Sequence, residues 1–222
     1  MQLLDRIEAR RFVGREFLLF LWFESELFEG TLSTVAHGSF GFWIERRIVL
    51  SAGKEVTQIK GAYPAGSREA KESLQRGKLP ELAGIHVSLR EHEMNFVLKA
   101  DTLALSGLSL AAVLDGGAEE EGAGLPPAEL LGPPQRKKKG PARGESDAAH
   151  EAFYDRMQRT RELEELLEAL YRDFLALRLG PAWEAFVEPM LKTWCAGDEG
   201  TELDSDAYRE KREHALGGKK RR

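Results

Sequence analysis

Residues 17–23 read Phe-Leu-Leu-Phe-Leu-Trp-Phe, seven apolar side chains in succession, closed off by Glu16 and Glu24. A membrane span needs about 20 such residues, so this run belongs inside a protein. If it is helical, its apolar side chains point in every direction, and the rest of the chain must cover most of the circumference. A buried strand is the alternative for so short a run. Helix is preferred: no proline occurs across residues 2–28, Leu3, Leu4 and Ile7 stand at helical spacing, and no turn signal precedes the run. Such a helix needs a layer on more than one side.

Strand periodicity follows. Phe40, Phe42, Ile44, Ile48 and Leu50 alternate with Trp43, Glu45, Arg47 and Val49, and Ser51-Ala52-Gly53 turns the chain into a second strand near residues 55–60. Ser67 is placed to cap a short helix that stops before Gly77 and Pro80. Ile85, Val87 and Leu89, then Phe96 and Leu98 after a turn near Glu91 to Glu93, repeat the alternation, and Leu103 and Leu105 open a further strand. The expectation is an α+β fold: a mainly antiparallel sheet of about five strands covered by the N-terminal helix.

Beyond this region the composition changes. Residues 115–147 hold seven glycines and five prolines, and no aromatic occurs between Phe96 and Phe153. So little apolar area does not offset the entropy of ordering, and a disordered linker is expected. Phe153, Met157, Thr160, Leu163, Leu167, Leu170, Phe174 and Leu177 then follow steps of three and four along one helical face. Gly180-Pro181 ends that helix, and Trp183, Phe186, Val187, Met190, Leu191 and Trp194 build a second, which Pro189 should kink or shorten. The sequence thus divides into an α+β domain (1–114), a linker (115–147), a helical hairpin (148–196) and a loose charged tail (197–222). The aromatic excess of the hairpin calls for a third surface, either the N-terminal domain or a second copy of the chain.

Lys and Arg number 32 against 37 Asp and Glu, which argues against a surface built throughout for nucleic acid. The surplus is uneven: residues 1–114 balance at 14 of each sign. Arg6, Arg10, Arg11 and Arg15 form two i,i+4 pairs suited to successive phosphates, and equally suited to intrahelical pairing with Asp5, Glu8 and Glu16. Of Arg46 and Arg47, adjacent on a strand, only one can join a given face. Arg136, Lys137, Lys138 and Lys139 either bind phosphate without sequence preference or solubilise the linker. Trp183, Phe186, Met190 and Trp194 are the candidates for docking a protein partner.

Signals for an enzyme are weak, and the expectation is a protein without catalytic residues, metal or cofactor. The five histidines (His37, His86, His92, His150 and His214) lie in separate segments without zinc-site spacing. Ser51-Ala52-Gly53-Lys54-Glu55 lacks the upstream glycine and the hydroxyl residue of a phosphate loop. Cys195 stands alone, which excludes a disulfide scaffold and makes a reducing cytoplasm the expected compartment.

Several stretches resemble the C-terminal half of bacterial RdgC-type recombination-associated proteins. They are residues 14–22 with Ser25-Glu26, residues 45–50, Glu69-Ala70 with residues 74–80, residues 96–105, and the helical region of residues 163–183. The resemblance implies a nucleoid-associated homodimer that clamps double-stranded DNA by phosphate contacts and limits access of a recombinase partner. It also implies that the N-terminal domain of longer family members is not part of this chain. A non-enzymatic interaction or assembly module, docking through the aromatic hairpin, is the alternative function.

Overall fold

The computed structural model describes residues 3–90, 92–110, 145–197 and 203–217; for residues 3–12, 110, 145–149, 151 and 152 it describes the backbone alone. The expected linker lies outside the described residues except at 145–147. The architecture is α+β, and the chain divides into two compact units, Met1–Ala111 with Glu164–Arg222, and Ala112–Leu163. The division differs from the expected one, since most of the C-terminal hairpin belongs with the N-terminal region.

The first helix, α1 (Leu3–Leu27), carries the apolar run at its centre. All seven residues from Phe17 to Phe23 are at most 6% exposed, as a helix apolar on every side requires. One side lies on the sheet, where the Ser25 hydroxyl donates to the Phe42 carbonyl at 3.0 Å. The other side is covered by aromatic residues from late in the chain. Phe17 meets Tyr171 edge-on at 5.1 Å, Phe20 meets Phe174 at 5.4 Å, and Trp22 and Phe23 meet Trp194 at 5.3 and 5.7 Å. Each such side chain, fully buried, contributes roughly 1.5–3 kcal/mol.

Among the described residues six antiparallel strands make one sheet: β1 (Thr31–Thr34), β2 (Gly38–Ala52), β3 (Glu55–Gly61), β4 (Leu79–Leu89), β5 (His92–Lys99) and β6 (Leu105–Leu110). The order is β1-β2-β4-β5-β6, with β3 also on β2. β1 pairs with residues 38–41 of β2 and β3 with residues 46–52, so the two share one edge of the long strand end to end. The sixth strand, β1, escapes a periodicity argument because four residues are too few to show alternation.

Phe40, Phe42, Ile44, Ile48, Leu50, Ala83, Ile85, Val87, Leu89, Met94, Phe96 and Leu98 are buried on the covered face. Their phase survives an irregularity. Ile44 pairs with Ile85 and Ile48 with Ala83, so Glu45, Arg46 and Arg47 stand opposite Gly84 alone. Two extra residues, an even number, leave every later side chain on the face its alternation assigns. Arg46 takes φ +63° in this bulge, and a Cβ on Gly84 would lie 2.5 Å from the Glu45 carbonyl oxygen. The opposite face carries Trp43, Arg47, His86, Asn95 and Val97 half-buried and Lys99 exposed.

Helix α2 (Arg68–Gln75) starts where expected, with the Ser67 hydroxyl accepting from the Ala70 amide at 3.2 Å. Helix α3 (Glu145–Leu179) is followed by a π-helical turn, Trp183–Val187, and α4 (Glu188–Ala196). Pro189 falls in the first turn of α4, where its missing N–H costs little, and the widened turn comes before it. The tail is a correction. Helix α5 (Ser205–Ala215) is capped by Asp204, whose carboxylate accepts from the Ala207 amide at 2.9 Å. Tyr208 and Arg212, one turn apart on α5, are buried, while Arg209, Glu210, Lys211 and Glu213 stay exposed. Tyr208 and Arg212 together dock a segment whose composition reads as loose.

Candidate nucleic-acid interface

The bulge in β2 decides which of its two arginines reaches a neighbouring surface. Arg46, in the left-handed conformation, is exposed, while Arg47 returns to the strand phase and lies half-buried on the uncovered face. There it meets Val49, Leu82 and Lys99, which share that face because Val49 pairs with Leu82 and Leu82 with Lys99. At the end of the sheet α1 contributes Arg15. These residues, with Glu81 and Asp101, line a recess of about 350 Å³.

The recess holds three cations and two carboxylates. Arg15 is ion-paired with Glu81. The Arg47 guanidinium donates to the Gln58 side-chain oxygen at 3.3 Å, but its buried Nε has no hydrogen-bond partner among the described residues. A desolvated guanidinium N–H with nothing to donate to is costly unless an acceptor arrives, and an anion is the acceptor that fits. With Glu81 neutralising Arg15 and Asp101 offsetting one further cation, one positive charge remains in excess.

Of the residues that sequence pattern put forward, the structure brings Arg15 and Arg47 together and leaves Arg46 outside the recess. The side chains of Arg6, Arg10 and Arg11, and Arg136, Lys137, Lys138 and Lys139, lie outside the described residues. Lys99 was missed. Its signal was its phase in β5, opposite to Phe96 and Leu98 and therefore on the same face as Arg47.

Trp183, Phe186, Met190 and Trp194 do not form a free docking face, and this corrects the expectation. Trp183 is 5% exposed against Phe20, Phe174 and the Arg178 guanidinium, the last at 4.9 Å. Phe186 meets Tyr208 at 5.6 Å, Met190 is half-buried, and Trp194 closes over Trp22 and Phe23. The third surface the hairpin called for is α1 of the same chain.

Two further charged clusters serve packing. The Glu26 carboxylate accepts from the indole N–H of Trp22 at 2.7 Å and of Trp194 at 3.0 Å, and pairs with Lys71. The Lys71 ammonium lies 4.0 Å from the Trp194 ring, and burial lowers its pKa against the opposing pull of Glu26. Burial also pushes the nearby Cys195 thiol up to about 11, far from the thiolate a nucleophile needs. In the second cluster Glu24, fully buried, accepts from Arg212 Nε at 2.6 Å and from the Tyr208 hydroxyl at 3.0 Å. Asp173 stands 3.8 Å from the same guanidinium. Among the described residues no three His, Cys, Asp or Glu side chains gather as a metal site, and no helix is long and apolar enough to cross a membrane.

No family model, curated protein or solved structure matches this chain.

Proposed function

We propose that the chain binds double-stranded DNA without sequence preference, through phosphate contacts at the Arg15, Arg47 and Lys99 recess. The observation that carries this reading is the convergence of three cations from α1, β2 and β5, one of them with a buried N–H that has no partner among the described residues. The resemblance to RdgC-type proteins supports a place in recombination or replication, with a homodimer on the DNA and limited access for a recombinase. The net charge of −5 suits a local contact better than an extensive one.

A salt titration with a short duplex tests it. Three phosphate contacts give a slope of log affinity against log salt no steeper than about −3. Arg47→Glu should weaken binding by roughly tenfold, the scale of about 1.4 kcal/mol for a lost charged contact. Absence of binding at low ionic strength, or affinity indifferent to Arg47→Glu and Lys99→Glu, would reject the proposal.

A second reading, assembly, has its own observation: Phe153, Tyr154 and Met157 on one side of α3 are 59%, 66% and 55% exposed. If they mediate association, Phe153→Ser with Tyr154→Ser lowers the mass in solution; an unchanged mass excludes it.

A further inference from the structure

The uncovered face of the sheet carries a second feature, away from the recess. Trp43, His86 and Asn95 are directly paired across β2, β4 and β5, so they form one transverse row. The Trp43 indole lies over Gly41, two residues earlier on the same face, and over Gly30. A Cβ on either glycine would collide with the ring, so the two glycines let the indole lie down on the backbone. Beside it is the His86 imidazole, 5.6 Å between centroids and tilted by 45°. His86 is held from both ring nitrogens: Nδ1 lies 3.0 Å from Asn95 Oδ1, and Nε2 lies 2.5 Å from Glu93 Oε2. Ser88 also donates to Glu93, at 2.9 Å. Two flat rings are thus fixed by their neighbours, with an amide, a hydroxyl and a carboxylate around them.

The same face leads from this row to the cations. On β4 the step from His86 to Leu82, which pairs with Val49 and Lys99 in the recess, is four residues, ~13 Å at ~3.3 Å per residue. A single strand crosses that distance in a few nucleotides. In a duplex the base faces are stacked on one another and offer nothing to a flat indole, whereas an unpaired base presents its π-face.

We infer that Trp43 and His86 are a stacking platform for an unpaired nucleobase, and that the chain binds single-stranded nucleic acid along the line from Trp43 to Arg47 and Lys99. This deepens the nucleic-acid reading above and rests on it for the phosphate contacts. Asn95 and Glu93 face the edges of the stacked base, and Arg47 and Lys99 take phosphates further along the strand.

The test compares (dT)12 with a 12-base-pair duplex, using intrinsic tryptophan fluorescence and labelled-oligonucleotide anisotropy. Trp43→Ala should lower (dT)12 affinity at least fivefold, within the range of base–aromatic stacking, and leave duplex affinity within twofold. The (dT)12-induced quenching should disappear with Trp43, since Trp22 and Trp183 are buried and the half-buried Trp194 packs on Trp22 and Phe23 of α1. Trp43→Phe should retain most of the affinity, and His86→Ala should give an intermediate loss. These two variants keep the test valid if Trp43→Ala does not fold. Duplex binding with a salt slope, alongside (dT)12 affinity indifferent to Trp43→Phe, Trp43→Ala and His86→Ala, overturns the platform and leaves the recess standing. Trp43-dependent quenching by (dT)12 without duplex binding supports the platform and removes the duplex proposal. Silence toward both probes at low salt overturns both.

Discussion

Arg212→Met is the perturbation that most directly probes how α5 is held. The Arg212 side chain is 5% exposed and that of Glu24 is not exposed at all. Burial pushes the Glu24 carboxyl above its ordinary value while Arg212 pulls it back, and burial likewise raises Asp173. Without the guanidinium, Glu24 keeps one donor, the Tyr208 hydroxyl, and its second oxygen remains without a partner among the described residues. Breaking a buried pair from one side costs about 3–5 kcal/mol. At this chain length that corresponds to a fall in Tm on the order of 10 °C.

The cost depends on pH with a definite sign. A carboxyl whose folded pKa lies above its unfolded value is penalised in the fold while ionised; the penalty is full above the folded pKa and is relieved as pH falls through it toward 4.5. Removing Arg212 raises the folded value further, so the loss should be largest at neutral pH and shrink as the pH approaches 5. Urea unfolding of the wild type and Arg212→Met at two pH values measures this. Glu24→Leu combined with Arg212→Met should cost less than Arg212→Met alone, leaving mainly the Tyr208 hydroxyl without its acceptor, about 1–3 kcal/mol. A single-variant loss under about 1 kcal/mol, or a double variant as costly as the two singles added, would refute the buried-pair account. The exposed Arg172–Glu168 pair at 2.6 Å is the contrast, and Arg172→Met should cost less than ~0.5 kcal/mol.

Cys195 should react with iodoacetamide in the folded protein about a hundredfold more slowly at pH 8 than a free thiol, the consequence of a pKa raised from 9.0 to about 11; a rate equal to that of the denatured chain would contradict its burial. Trp183→Ala should destabilise by about 3–5 kcal/mol, read from urea melts, and leave the molecular mass in solution unchanged, because its ring faces Phe20 and Phe174.

The parts of the fold legible in sequence are those written as periodicity. Residues 17–23 required enclosure, and the alternation through β2, β4 and β5 placed the core side chains. Two kinds of information were not written that way. The bulge at Glu45 to Arg47 has no motif of its own, and only the pairing of Ile44 with Ile85 and Ile48 with Ala83 reveals it. The destination of the hairpin's aromatic face was a question of complementarity, with α1 and a second copy equally suited by composition. The candidate site was half legible for the same reason. Arg15 and Arg47 stood out by type, while Lys99, Glu81 and Asp101 joined them through strand pairing and a helix crossing.

The enclosure of α1 also sets an order of events during synthesis. The residues that close over its far side are 154 to 188 positions later in the chain, as in the Phe17–Tyr171 and Arg212–Glu24 contacts. At ~5–20 residues per second the ribosome needs on the order of ten seconds to deliver them. During that interval half of the most apolar helix has no native cover. Contacts of such sequence separation form slowly even once the chain is complete. The nascent protein is therefore a natural client for a chaperone that shields Phe17 to Phe23, and a truncation that removes the last helices exposes the stretch of this chain most able to aggregate.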